Sequence, residues 1–176
     1  DTVGIELKYF YNNEGKLARI EQYETSVSGT TITGRVSAMT ENYYYDSSDR
    51  VVRIFRTDVF GNVYDRKWTY NSDNNVTRFV ETGMGETTIT DYTYDNDQRV
   101  STVATYGVLG DGSGYNNVVV TNNYDGYGRI GSQVTTDGSD AVVTDTYTYR
   151  SPGDGFTSTQ IENLAIAASG YSVTYT

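Results

Sequence analysis

Residues 43–54 contain the pattern that decides the fold, and they read Tyr43-Tyr44-Tyr45-Asp46-Ser47-Ser48-Asp49-Arg50-Val51-Val52-Arg53-Ile54. Two aromatic residues separated by one position are typical of a strand that presents both rings on one face. The Asp and the small polar residues after it are typical of a tight turn, because an Asp side chain can bond its own backbone. The basic residue and the aliphatic residues then begin a returning strand. The stretch therefore predicts a β-hairpin.

The same order of residue types recurs six times along the chain, with a half-unit at residues 171–176. A unit of about 25 residues holds two strands and two turns. We therefore predict an all-β fold: one domain spanning residues 1–176, built as an antiparallel meander of about 13 strands in a curved or barrel-like sheet. The residues that mark the repeats are Tyr11, Tyr45, Asp46, Tyr70, Tyr94, Asp95, Tyr124, Asp125, Gly128 and Tyr149.

The composition excludes several classes of function. The 176 residues include no Cys and no His, which excludes disulfides, thiolate metal sites and catalytic triads that use His. The net charge of −10 argues against binding to nucleic acid or to anionic membrane surfaces. No apolar stretch approaches the length of a membrane helix. Because the chain opens at Asp1 rather than Met, we expect a mature chain or a fragment of a longer array.

The pattern Tyr-x-Tyr-Asp-x-x-(Gly/Asp)-Arg-Val-x-x-Ile resembles the YD repeat of the Rhs family, with the best matches at residues 43–54, 92–103 and 124–130. It is also similar to short YD-like surface proteins of Bacteroidetes-type bacteria. The resemblance implies secreted or surface proteins in which β-hairpins wind into a sheet, often a shell around a toxin. It implies a scaffold without chemistry of its own. The spacing between repeats is longer and less even here, and Asn12, Asn71 and Arg150 replace the Asp.

Two local questions stay open at the level of sequence. The aliphatic residues of the returning strands are three apart, as in Leu17 and Ile20 or Val51 and Ile54, which strict alternation would place on opposite faces. Either both faces are partly covered, or a β-bulge recurs in each unit. Residues 160–169 have helical spacing of apolar side chains but occupy the position of a returning strand, and we favour a strand.

No catalytic residue, metal ligand or cofactor site is predicted, and we expect a protein that is not an enzyme. The Asp residues of the repeats are explained by turn formation, and the oxygen-rich turns do not follow a calcium-loop pattern. Aromatic side chains that are not among the repeat-marking residues are the candidates for binding a ligand, above all surface glycans, by stacking. These candidates are Tyr44, Phe60, Tyr64, Tyr115 and Tyr127.

The predicted function is a structural or adhesive repeat scaffold, extracellular or on a bacterial cell surface. One alternative is a filament subunit that assembles with itself through its open strand edges, residues 3–11 and 171–176. The others are a carbohydrate-binding module and a fragment of a toxin-encapsulating Rhs shell. No nucleic acid partner and no direct membrane span are expected.

Overall fold

The computed structural model describes residues 2–138, 142–148, 161–166 and 171–174. These residues form an antiparallel β-sheet in which the hydrogen-bonded order of the strands follows the order of the chain. The described residues include no helix, and therefore none that is long and apolar enough to cross a membrane. The prediction of an all-β antiparallel fold is confirmed.

The chain divides into two compact units, residues 1–88 and 89–176. The strands of the first unit are β1 (Thr2–Tyr11), β2 (Leu17–Ser28), β3 (Thr31–Tyr45), β4 (Val51–Asp58), β5 (Val63–Tyr70) and β6 (Val76–Gly83). Strand β7 (Glu86–Tyr94) contains the boundary. The second unit continues with β8 (Val100–Leu109), β9 (Gly114–Tyr124), β10 (Ile130–Thr136) and β11 (Val142–Thr148).

Two short strands follow these eleven: β12 (Ile161–Ile166), which pairs with β11, and β13 (Tyr171–Thr174), which pairs with β12. The described part of residues 160–169 is thus a strand, the alternative that the sequence favoured. The sheet is open, because β1 pairs with β2 alone among the described strands. The expectation of a barrel-like sheet is corrected on this point.

A β-bulge recurs at the start of the returning strands and answers the question of the aliphatic spacing. Tyr11 pairs with Leu17 and Phe10 with Arg19, which leaves Ala18 as an extra residue on β2. The same shift leaves Val52, Thr77 and Gly131 as the extra residues on β4, β6 and β10. One extra residue reverses the alternation, so aliphatic residues three apart return to one face.

In the first two hairpins, the bulge also places an aliphatic residue opposite both tyrosines of the Tyr-x-Tyr pattern or its equivalent. Tyr43 pairs with Ile54, and Tyr45 pairs with Val51. Tyr9 and Tyr11 face Ile20 and Leu17 in the same way. Aromatic and branched side chains in direct opposition stabilise a sheet by about 0.2–1 kcal/mol per pair.

The described residues contain no buried hydrophobic side chain. Thr25 and Thr90 are the buried polar residues, and most residues of the repeats are half-buried. A core therefore cannot account for the cohesion of these strands. Side-chain contacts within the sheet must therefore contribute a larger share of the stability than they do in a two-layer protein.

Candidate functional site

The turns after the aromatic strands share one geometry, which we call the Asx turn. In the second hairpin the backbone N–H groups of Ser48 and Arg50 donate to Oδ1 of Asp46, at 2.8 and 3.0 Å. Asp49 has φ of +65°, and its N–H donates to the carbonyl of Asp46 at 3.1 Å. The same pair of side-chain bonds forms at Asn12, Asn71, Asp95 and Asp125. The predicted bonding of these side chains to their own backbone is confirmed.

Where the turn carries Asp and Arg four residues apart, the two side chains also form an ion pair. Arg50 places Nε 2.8 Å from Oδ2 of Asp46 and Nη2 2.7 Å from the same atom. Arg99 with Asp95 and Arg129 with Asp125 repeat this arrangement. For Asp46 and Asp95 the bond from the Arg side chain is the main reason that the carboxyl pKa lies below its ordinary value. For Asp125 the backbone N–H of Arg129 is the larger cause of the lowered pKa.

Neighbouring hairpins contact each other through an arrangement that we call the tyrosine junction. The phenol of Tyr70 donates to the backbone carbonyl of Val51 at 2.8 Å, and the guanidinium of Arg50 lies 4.6 Å from the centre of the same ring. A cation over an aromatic face is attracted by the ring quadrupole. One tyrosine thus binds two consecutive residues of the preceding hairpin, a basic residue and the aliphatic residue after it.

Two further junctions have the same parts. Tyr45 donates to the carbonyl of Leu17 at 2.9 Å, with Nζ of Lys16 5.6 Å from its ring centre. Tyr124 donates to the carbonyl of Val100 at 2.8 Å, with Arg99 4.4 Å away. The sequence predicts these tyrosines as repeat residues but does not predict their contact with the basic residues. A sequence signal for this contact exists, because a basic residue comes directly before the aliphatic residue in each of the three hairpins that accept the bond.

The other repeat residues have the following positions. Tyr94 ends β7, and its burial raises the pKa of its phenol. Gly128 occupies the left-handed position of the fifth Asx turn, with φ of +78°. Burial, followed by a hydrogen bond to Glu41, raises the pKa of Tyr43 to about 12. Tyr149 lies outside the described residues.

The candidate ligand-binding residues of the first unit do not form one site. Tyr44 is 45% exposed and packs under Arg53, on the face opposite Tyr43 and Tyr45. Tyr64 is half-buried, with Arg56 over its ring. Phe60 is 87% exposed at the tip of the β4–β5 turn.

The two candidates of the second unit also lie apart in sequence and structure. Tyr127 is 73% exposed in the Asx turn of Asp125, with Arg129 5.0 Å from its ring centre. Tyr115 belongs to β9, where its backbone pairs with Gly107, and its side chain is outside the described part of the structure. Exposed aromatic residues at the turns, rather than a shared pocket, are what the described residues offer to a ligand.

A cluster of three charged side chains in the first unit surrounds Asp65. Arg53 donates to both of its carboxylate oxygens, at 2.7 and 3.0 Å, and Nζ of Lys67 lies 2.9 Å away. Burial alone would raise the pKa of Asp65, but the bonds from Arg53 and Lys67 hold it below the ordinary value. Its charge is already neutralised, so this cluster is a structural ion network. Within the described residues, no group of three or more acidic side chains is arranged to hold a metal ion.

Comparisons with known proteins leave the family open. No family profile and no curated protein sequence matches the chain. A solved structure of a porin-like protein from Bacteroides uniformis is similar, with a TM-score of 0.35 and 16% sequence identity. The match covers 98% of this chain and 87% of that one.

Proposed function

We propose that this chain is a structural scaffold of YD-like hairpin repeats, not an enzyme, that is exposed on the surface of a bacterial cell or outside it. In this proposal the chain consists of six and a half repeats, and β12 and β13 are their last strands. One observation carries it: the repeated polar side chains are used in Asx turns and tyrosine junctions, which are contacts of the scaffold with itself.

The charged groups of the repeats support a structural rather than a catalytic role. The carboxylates of Asp46, Asp95 and Asp125 are bonded to backbone N–H groups and to arginine, and their pKa values are lowered. A general acid or base at neutral pH needs a pKa close to the pH, which is a shift in the other direction. These carboxylates therefore suit turn formation.

The surface location is tested by labelling intact cells. An antibody raised against the purified chain is added to whole cells of the organism that encodes it, and to the same cells after lysis. Strong binding to intact cells, lost after brief treatment with external protease, supports the proposal. Binding only after lysis contradicts it, provided that a cytoplasmic control protein resists the protease.

A second candidate function is carbohydrate binding, which the exposed turn aromatics Phe60 and Tyr127 favour. Aromatic side chains commonly line ligand-binding sites, and the rings of Phe60 and Tyr127 are accessible to a ligand. The test is a glycan array with the wild-type chain, Phe60→Ala and Tyr127→Ala. Binding that either substitution abolishes supports this candidate. Absence of binding by the wild-type chain removes it.

A third candidate is a filament subunit, which requires the exposed edge of β1 to pair with the opposite strand edge of another copy. Val3, Ile5 and Tyr11 of this strand are 75%, 70% and 64% exposed. An edge strand with exposed apolar side chains is a template for pairing with another chain. Open-ended growth in light scattering supports the filament, and an assembly that stops at a fixed size contradicts it.

A further inference from the structure

Strand β1 has two different sides. Three of its even-numbered side chains contact neighbouring strands: Arg35 lies 3.0 Å from Glu6, Arg19 lies over Phe10, and Lys8 lies near the ring of Tyr23. Its odd-numbered large side chains are all exposed, and they are Val3, Ile5, Leu7, Tyr9 and Tyr11. This apolar row lies on one face of the strand at the edge of the sheet.

The free edge of β1 also lacks what the later aromatic strands have. Tyr45 and Tyr70 each make a tyrosine junction with the preceding hairpin. For Tyr11 the structure shows no such contact among the described residues, and its ring is 64% exposed. Among the described strands β1 pairs with β2 alone, and an antiparallel strand added at its other edge would continue the pairing of this sheet.

The hydrogen-bonding register of this edge follows from the first turn. Asn12 directs both its N–H and its carbonyl toward the turn and β2, in bonds with Lys16 and Gly15. Since main-chain groups alternate in direction along a strand, the even-numbered residues of β1 bond to β2. The groups that point to the free edge belong to the odd-numbered residues. In an antiparallel pair, the neighbouring strand must place opposite them those of its residues whose main-chain groups point toward β1.

We infer that the neighbour is a second copy of β1, paired antiparallel about a two-fold axis at Leu7. This register places Glu6 opposite Lys8 of the second copy, and Lys8 opposite its Glu6. An axis at Glu6 would place the two glutamates opposite each other, and an axis at Lys8 would oppose the two lysines. Like charges in direct opposition destabilise a sheet. Charge complementarity thus favours the register centred on Leu7.

The apolar face of this register repeats the pairing found inside the chain. Ile5 lies opposite Tyr9 of the second copy, and Val3 lies opposite its Tyr11. Each aromatic residue therefore meets an aliphatic one, as Tyr9 meets Ile20 across β1 and β2. The five exposed side chains of each copy become a continuous row.

The other face fits as well, because Gly4 lies opposite Phe10 of the second copy. Glycine opposite an aromatic residue has a precedent in this sheet, where Gly83 pairs with Tyr64. A Cβ atom on Gly83 would lie 2.8 Å from Cδ1 of that tyrosine, so the ring covers the glycine. Both faces of β1 are thus complementary to themselves in one register. A self-complementary edge closes into a dimer and does not extend into a filament.

The test is analytical ultracentrifugation of the chain printed above, with charge reversals in β1. Glu6→Lys and Lys8→Glu each place like charges in opposition, and we expect each to raise the dimer dissociation constant at least about tenfold. The double variant Glu6→Lys/Lys8→Glu restores opposite charges, and we expect it to return close to the wild-type value. The matched control is Glu81→Lys, which also removes an exposed ion pair, with Arg66, but on β6.

Several results would overturn this inference. A wild-type chain that is still monomeric at about 1 mM, where association is weaker than about 4 kcal/mol, overturns it. So does a dimer that both single reversals leave unchanged, or assembly that continues beyond two copies. Circular dichroism at each step verifies that the variants are folded.

A second measurement needs no variant and remains decisive if a reversal unfolds the chain. Amide hydrogen exchange of the wild-type protein is followed by NMR across a range of concentrations. We expect the amides of Ile5, Leu7 and Tyr9 to gain protection as the dimer forms. Unchanged exchange at these amides while the dimer forms would contradict the inference. This inference extends the proposed scaffold role by naming a partner, and a monomer would leave the surface location untouched.

Discussion

The phenol of Tyr70 donates a 2.8 Å hydrogen bond to the carbonyl oxygen of Val51, in the hairpin that precedes its own. The guanidinium of Arg50, the residue before Val51, lies over the same ring. The described residues include no buried hydrophobic side chain. Contacts of this kind therefore supply stability that a hydrophobic core supplies in other proteins. Among the described residues, Tyr45 and Tyr124 make the same kind of junction, and the Asx turns add local contacts at the ends of the aromatic strands.

Replacing Tyr70 by Phe removes the bond to Val51 and leaves the ring in place. We expect the free energy of unfolding to fall by about 1 kcal/mol, the usual net value of one hydrogen bond. Urea unfolding followed by circular dichroism measures the change. Tyr127→Phe is the control, because its phenol belongs to a ring that is 73% exposed. Equal losses in the two variants would argue against a structural role for the junction bond.

Arg50 is expected to matter more than an ordinary surface arginine. Besides Asp46 and the ring of Tyr70, it donates to Oδ1 of Asn74 at 2.8 Å. We expect Arg50→Ala to lower the free energy of unfolding by about 1–2 kcal/mol, since it removes charge-assisted bonds and a cation–π contact. Arg66→Ala is the matched control: its pair with Glu81 is exposed, and such pairs contribute about 0–1 kcal/mol. A larger loss at Arg66 than at Arg50 would contradict the prediction.

Left-handed backbone and a close contact with Arg99 together favour glycine at residue 128, although Asp49 occupies the same position of the second hairpin. The φ of Gly128 is +78°, and an added Cβ would lie 3.0 Å from Nη1 of Arg99. We expect Gly128→Ala to destabilise the protein by about 1–2 kcal/mol, the cost of left-handed backbone for a residue with a Cβ. Gly126→Ala in the same turn is the control, because a Cβ there meets no atom within 4 Å and φ is not positive. Thermal unfolding of the two variants distinguishes them, and equal melting temperatures would refute the assignment.

Acid is expected to weaken the Asx turns that carry Asp. The pKa of Asp46 is lowered in the folded state, chiefly by Arg50, so its contribution is complete above the unfolded value of about 3.9. That contribution is lost as the pH falls through the lower, folded pKa. Asp46→Asn keeps an oxygen for the backbone bonds, as Asn71 does, but has no charge to lose.

The test for Asp46 is urea unfolding of the wild type and of Asp46→Asn at pH 7 and at pH 3. We expect the variant to be less stable at pH 7 and to lose less stability on acidification. A variant whose stability declines with pH as steeply as that of the wild type would show that Asp46 does not contribute in this way.

The sequence predicted the strands and turns well because both depend on local chemistry. The alternation around Tyr45 and the Asp at position 46 specify a strand and a turn without knowledge of distant residues. The bulge at Ala18 was one of two alternatives, since its signal, aliphatic residues three apart, also fits a sheet covered on both faces. The register between β1 and β2 decides between the bulge and the sheet covered on both faces.

The contacts between hairpins could not be predicted in the same way. Arg50 and Tyr70 meet because β4 and β5 pair in one register, and a shift by one residue would place them on opposite faces. The candidate aromatics Tyr44 and Tyr64 show the same limit. Both deviate from the ladder in sequence, but only the register reveals that each lies under its own arginine and that they do not form one site.

A double-mutant cycle between Arg50 and Tyr70 tests most directly that tyrosine junctions hold this scaffold together. The free energies of unfolding of the wild type, Arg50→Ala, Tyr70→Leu and the double variant are measured under identical conditions. We predict a coupling energy of at least about 0.5 kcal/mol between the guanidinium and the ring. Losses that add within about 0.3 kcal/mol would contradict the account.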